Sequence, residues 1–197
     1  MTRLVLVRHG QTAWNATHRL QGQADIGLSP EGMREATSIA PLVLDLDPQS
    51  AISSDLKRTR ETAKLIGLNP VVVDELWREA NLGTWEGKAK SELDPADYRA
   101  WRAGRFDPPG AEPWQEFRER ISRALATVPR AGTTVVVTHG GAIRAALSVL
   151  IGLEPDRILP VDPGSLTVLE LSGSARLKSF NITPKVTASD SPARVIN

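Results

Sequence analysis

The chain has no cysteine among its 197 residues. That excludes disulfides, thiolate metal sites and cysteine nucleophiles, and it fits a reducing compartment. Charge of one sign is not in excess either, because 24 Lys and Arg stand against 23 Asp and Glu. A net charge of +1 offers no global attraction to nucleic acid or anionic lipid, so any anion site must be local. No stretch approaches the roughly 20 apolar residues needed to span a bilayer. The opening run Leu4-Val5-Leu6-Val7 is too short for the apolar region of a signal peptide. A cytoplasmic protein with no nucleic-acid or membrane partner is the expectation.

What is present is a globular composition, 41% hydrophobic and 24% charged, in a length that suits one domain and buries roughly 70% of the unfolded surface without cross-links. The apolar runs Leu4 to Val7, Val71 to Val73 and Val135 to Val137 are continuous rather than alternating. Such runs suit strands buried on both faces of a sheet. Ser29-Pro30-Glu31 predicts a helix start, with Met33, Ala36, Ile39 and Ala40 on its inner face and Pro41 kinking or ending it. A short strand at Ala51 to Ser53 leads into a helix over 56–65, and a strand at 134–138 into a helix over 141–150. Strands alternating with helices predict a three-layer α/β/α sandwich around a mostly parallel sheet, its edge closed by residues 166–171 and 177–182. Residues 1–182 form the single expected domain, with 88–117 a helical insertion over the active site. The polar, unperiodic 183–197 is the expected C-terminal tail.

Three segments place chemistry where a strand ends, the usual location of ligand sites in open α/β sheets. Arg8-His9-Gly10 follows the first strand, Arg58 the second, and His139-Gly140-Gly141 the strand at 134–138. Gly10 and Gly140 allow the backbone to close around a small anion. Phosphoryl transfer needs fixed positive charge, an in-line nucleophile and a proton for the leaving oxygen. Arg8 and Arg58 supply the charge, neutral His9 can attack phosphorus, and His139 can donate to a phosphate oxygen. Glu79, flanked by leucine and tryptophan in the 76–87 segment, is placed to carry the proton.

These blocks resemble those of the histidine phosphatase superfamily, also called phosphoglycerate mutase-like. Leu6-Val7-Arg8-His9-Gly10-Gln11-Thr12-Ala13-Trp14-Asn15 is similar to its signature. Leu20 to Asp25, Ser53 to Ala63, the Glu79 block ending Gly83-Thr84-Trp85-Glu86-Gly87, and Val137 to Gly141 follow in family order. A bare Arg-His-Gly is weak, but five ordered blocks are specific. The resemblance implies a phosphohistidine on His9, phosphate contacts from Arg8, Arg58 and His139, and proton donation by Glu79. It also implies that Asn15, Gln21, Gly22 and Gly140 lie near the phosphate or its leaving group, with no metal and no cofactor. The departure is Ala80-Asn81-Leu82-Gly83, where many relatives have an acid or aromatic after the glutamate, and it bears on leaving-group specificity.

The expected function is hydrolysis of small phosphorylated metabolites. The alternatives are a cofactor-dependent phosphoglycerate mutase, whose members are usually longer after the glutamate block, and an inactive module that only binds phosphorylated ligands. A homodimer is one of the oligomeric states the sequence leaves open. Among other residues, His18 reads as a solvated loop histidine, and Arg60 as a surface arginine. Arg99, Arg102 and Arg105 could face a negatively charged substrate, with a solvated helix face the preferred reading. Trp14, Trp77 and Trp85 fit either pocket or core. Glu75 and Glu86 compete with Glu79, and only the alignment of the block rejects them.

Overall fold

The computed structural model describes residues 2–184. The expectation for 183–197 lies outside the described residues, apart from its first two positions. Six strands make one mixed sheet: β1 (Thr2–Arg8), β2 (Ser50–Ser53), β3 (Val72–Val73), β4 (Gly132–Thr138), β5 (Leu166–Glu170) and β6 (Arg176–Ile182), in the order β3-β2-β4-β1-β5-β6. The β1–β4, β2–β4 and β2–β3 pairings are parallel, and β5 and β6 add antiparallel strands beyond β1. The helices are α1 (Ala13–Ala16), α2 (Pro30–Leu44), α3 (Lys57–Ile66), α4 (Pro95–Arg102), α5 (Trp114–Ala126) and α6 (Gly140–Ile151). No helix among the described residues is long and apolar enough to cross a membrane.

The continuous apolar strands explain the layers. Along β1, Val5 and Val7 pack with Ile39 and Val43 of α2 and Ala63 and Ile66 of α3. Leu4 and Leu6 face the other way, onto Phe117 and Ile121 of α5 and Ile143 and Leu147 of α6. Successive strand residues point to opposite faces, so a run without polar gaps requires cover on both. Each such side chain contributes about 2 kcal/mol of burial.

Three expectations are corrected. Val72 and Val73 form a two-residue edge strand and are exposed, 64% and 53%, because among the described residues β2 is their sole strand neighbour. On α2 the buried stripe is Gly32, Ala36, Ile39 and Val43, with Ala40 half-buried. Met33 is exposed, one position off the stripe. Pro41 does not end that helix, which continues to Leu44. Pro41 lies on the exposed face, where the carbonyl it leaves unpaired one turn earlier can bond water. The helix start is as expected: Ser29 caps it, accepting from the Gly32 N–H, and Pro30 takes the first position.

Candidate active site

Parallel pairing of β1 and β4 sets Arg8 opposite Thr138. The bond from the His9 N–H to the Thr138 carbonyl, 2.9 Å, then carries the register one residue past the strands. His9 and His139 therefore emerge side by side, ring centroids 5.2 Å apart. On the other side of β4, β2 ends in Ser53 opposite Val137. The following turn places Ser54 beside His139 and starts α3, whose first turn carries Arg58. The chain runs outward in both directions from the β1–β4 pair, so this is the switch point of the sheet, where α/β folds open a crevice.

The hydrogen bonds assign the protons. His9 Nδ1 lies 2.7 Å from the Gly10 carbonyl oxygen, which can only accept, so Nδ1 carries the hydrogen and Nε2 keeps its lone pair. Arg58 Nε donates to His139 Nδ1 at 3.2 Å, so His139 Nε2 carries its hydrogen and points it at Ser54 Oγ, 3.0 Å away. Both rings are buried. Burial, and then the positive charge of Arg58, hold both histidines well below their ordinary pKa. His9 is thus neutral at neutral pH.

Gly10 is required here, since a Cβ would lie 2.2 Å from the Gly32 carbonyl oxygen, where the loop after β1 meets the first turn of α2. At Gly140 a Cβ would meet nothing nearer than 3.5 Å. The tight position is its neighbour Gly141, where a Cβ would stand 2.0 Å from Glu79 Oε1. That space lets Glu79 Oε2 accept from the Gly141 N–H at 2.8 Å, at the start of α6, a favourable place for a carboxylate. Its other oxygen accepts from the Ala80 N–H at 3.0 Å.

A cavity of about 430 Å³ opens over these groups, with Arg8, His9, Arg58, Glu79 and the expected Asn15, Gln21, Gly22 and Gly140 on its wall. His139 stands behind His9 and does not line it. Arg8 Nη1 donates to the Val161 carbonyl, while Arg8 Nε is buried without a partner. Arg58 is fully buried, and its two terminal nitrogens donate to the carbonyls of Ala24 at 2.6 Å and Gly22 at 2.8 Å. Asn15 accepts from the Thr12 N–H at 2.9 Å, which closes α1. Gln21 Oε1 is buried without a partner. The structure also separates the three glutamates: Glu75 is 74% exposed, Glu86 accepts from the Gln23 and Leu82 N–H groups, and Glu79 alone of the three reaches the cavity. Trp77 and Trp85 are buried in the core.

Sequence reasoning left the rest of the wall unassigned. Arg102 of α4 and Arg144 of α6 line it, with the 158–163 segment and, at the rim, the exposed His18. Arg99 and Arg105 are exposed as expected, so Arg102 departs from them. The signal for Arg144 was available, a lone charge in the helix Gly140–Ile151 whose residues 142–148 are all buried, because such a charge needs a reason. Burial lowers the pKa of Arg58 and Arg144 to about 10, and that of Arg8 and Arg102 in the same direction. Arg58 and Arg144 thus stay charged at neutral pH, and a guanidinium keeps its proton in proteins generally. Among the described residues, none of the four forms an ion pair, and Glu79 is the one acid that raises the pKa of every one of them. A neutral histidine with a free Nε2, unpaired cations and one central carboxylate can bind an anion, attack it and exchange a proton.

Residues 4–183 match the profile of the histidine phosphatase superfamily, branch 1. The chain is 36% identical over 193 residues to a glucosyl-3-phosphoglycerate phosphatase of Mycolicibacterium vanbaalenii, covering 88% of this chain and 85% of that protein. It is 36% identical over 166 residues to a probable phosphoglycerate mutase of Erwinia tasmaniensis, covering 78% and 76%. Among solved structures it is similar to a phosphoserine phosphatase of Entamoeba histolytica in complex with 3-phosphoglyceric acid, with TM-score 0.83, 30% identity and coverage of 93% of this chain and 98% of that one.

Proposed function

The chain belongs to the histidine phosphatase superfamily, branch 1, and from that premise we propose that it hydrolyses small phosphomonoesters in two steps through a phosphohistidine on His9. The observation that carries this reading is the neutral His9, its Nδ1–H tied to the Gly10 carbonyl, at the wall of a cavity ringed by arginines without acid partners.

Arg8 and Arg58 draw in the phosphate and offset the charge that grows on its equatorial oxygens. The Nε2 lone pair of His9 forms the N–P bond as the P–O ester bond breaks. The electron pair leaves on the ester oxygen, which takes a proton from Glu79 in its acid form, the form that the hydrolysis step restores. Water then attacks phosphorus and gives its proton to the Glu79 carboxylate, and the N–P pair returns to His9. His139 supports the adjacent His9 ring, held in place by Arg58 at Nδ1 and by Ser54 at Nε2. Gln21 and Asn15, both on the cavity wall, are the side chains assigned to the alcohol part in this reading. The cysteine-free composition supports a cytoplasmic setting.

The test is a rapid alkaline quench with labelled p-nitrophenyl phosphate, followed by peptide mapping. An acid-labile phosphoramidate on His9, absent in His9→Ala together with turnover, is expected. Label on another residue would overturn the mechanism. The relative named a probable phosphoglycerate mutase favours a second reading, return of the phosphoryl group to another hydroxyl of the product. It has less weight, since the phosphatase relative matches over more of the chain. Isomerisation of 3-phosphoglycerate faster than release of inorganic phosphate would promote it.

A further inference from the structure

The peptide between Gly10 and Gln11 is held at both poles. Its carbonyl accepts the Nδ1–H of His9 at 2.7 Å, and its N–H donates to Glu35 Oε2 at 2.6 Å. A planar trans peptide points these two groups in opposite directions. Carboxylate, peptide and imidazole therefore form one line of hydrogen bonds that ends at the Nε2 lone pair of His9.

Glu35 projects from α2 and is half-buried. It does not line the cavity, so it reaches the reacting atoms only through this peptide. The turn after the 158–163 segment packs on it, and a Cβ at Gly164, φ +62°, would stand 2.7 Å from the Glu35 Cβ. Burial foremost raises its pKa. Arg8 of β1 favours its charge, while Glu31 of α2 and Asp162 oppose it.

Holding the loop does not require that charge. The Gly10 N–H already donates to Thr62 Oγ1 at 3.1 Å, the Ser29 N–H to the Gln11 carbonyl at 2.9 Å, and Ser29 Oγ to Gln11 Oε1 at 3.0 Å. A neutral amide at position 35 would satisfy the Gln11 N–H without the cost of taking a carboxylate partly out of water. The charge has a use at His9. As the N–P bond forms, Nε2 gives up its lone pair, Nδ1 keeps its hydrogen and the ring turns positive. Arg58 and Arg8 oppose that charge, and among the described residues the hydrogen bond to the Gly10 carbonyl is the one influence that favours it. In a catalytic triad an acid at the far nitrogen steadies the imidazolium. Here the carbonyl takes that place and a carboxylate stands behind it, and hydrogen bonds in series polarise one another.

We propose that Glu35 is a positioning residue for the nucleophile: its carboxylate polarises the Gly10–Gln11 peptide, fixes the His9 ring in its Nδ1–H form and supports the positive charge the ring gains during phosphoryl transfer. No proton moves along the line, since Glu35 stays a carboxylate and Nδ1 keeps its hydrogen throughout. The proposal rests on the hydrolase reading for the role of His9.

The test uses the full chain with Glu35→Gln, which keeps an acceptor for the Gln11 N–H and removes the charge. Glu31→Gln, at an exposed acid one turn earlier on α2, is the control. The burst rate with p-nitrophenyl phosphate is expected to fall roughly tenfold in Glu35→Gln, with affinity for inorganic phosphate and the urea midpoint close to the parent's, and to hold in Glu31→Gln. In chain labelled with isotopic histidine, the Nδ1–H resonance of His9, assigned by its absence in His9→Ala, should move upfield in Glu35→Gln as its hydrogen bond weakens. A burst at the parent rate or an unmoved resonance would overturn the proposal. So would a burst lost together with phosphate binding, the mark of a collapsed loop. Should Glu35→Gln fail to fold, the parent decides: between pH 7 and 4 the resonance should shift with the midpoint of the Glu35 carboxyl carbon signal, and a shift at another midpoint, or none, overturns the proposal. A parent without a burst would instead sink the hydrolase reading, while the resonance, which needs no turnover, still reports on the link from Glu35 to His9.

Discussion

The two walls of the cavity are built differently. The near wall, Arg8, His9 and Arg58, comes from short motifs that follow β1 and β2, parallel strands that both pair with β4. The other wall, Arg102, Arg144 and the 158–163 segment, meets the first where Arg8 donates to the Val161 carbonyl, and it comes from elements distant in sequence that are tied by bonds from Arg102 to the Ile158 carbonyl and from Arg144 to the Arg102 carbonyl. Glu79 joins them, bound to the Gly141 N–H at the start of α6 and with its carbonyl held by Arg120 of α5.

The largest effect should come from breaking the near wall. Arg58→Ala is expected to lower kcat/KM on order of 10²-fold or more. Arg60→Ala, an exposed position of α3, serves as the control. Equal losses in both would mean that the helix had been damaged and the phosphate contact was not the cause.

A second variant acts at the junction. Arg120 of α5 pairs with Glu112 at 2.7 Å, both side chains largely buried, and donates to the carbonyls of Leu76, Arg78 and Glu79. It therefore holds the backbone from which Glu79 projects. Arg120→Met leaves Glu112 without its partner and is expected to cost about 3 kcal/mol in urea unfolding. It should also slow alkyl phosphates, which need the proton of Glu79, more than p-nitrophenyl phosphate. Uniform slowing of both would reduce Arg120 to a purely structural role.

The smallest effect sharpens the contrast through pH. Unfolded, His9 and His139 titrate near 6.5, and in the folded chain burial foremost holds both well below that. As pH falls below 6.5 the unfolded chain binds protons that the folded chain refuses, so stability drops. The slope reaches about 1.4 kcal/mol per pH unit for each histidine. Urea midpoints measured between pH 7 and 5 should fall less steeply in His139→Asn than in the parent. The same slope in both would mean that carboxylates, not these rings, govern the acid limb.

The near wall was legible because strand-end chemistry is local. Three residues after an apolar run are enough to place Arg8 and His9, and the ordered blocks supply Arg58 and Glu79. The choice of Glu79 over Glu75 and Glu86 was not legible from composition, since all three carry the same group. What separates them is which backbone N–H groups each meets. His139 was found by position, but its bonds to Arg58 and Ser54 depend on β2 and β4 lying together, which no motif states. Arg102 was seen and read as solvated because helical periodicity alone does not reveal what α6 brings against it. The 158–163 segment has no periodicity at all, and its place follows from the pairing of β5 beside β1.

The margins of the sheet bear on how the protein behaves at high concentration. One margin is β3, two residues long, and the other is β6, whose Arg176 and Lys178 are paired with Glu170 of β5. A stub presents too few free backbone groups to template a foreign strand, and a row of ammonium and guanidinium heads repels a second copy of itself. The bare valines at the first margin are thus tolerable because the ladder behind them is so short. Lengthening that strand by a few apolar residues would turn a harmless end into a seed for fibrous assembly.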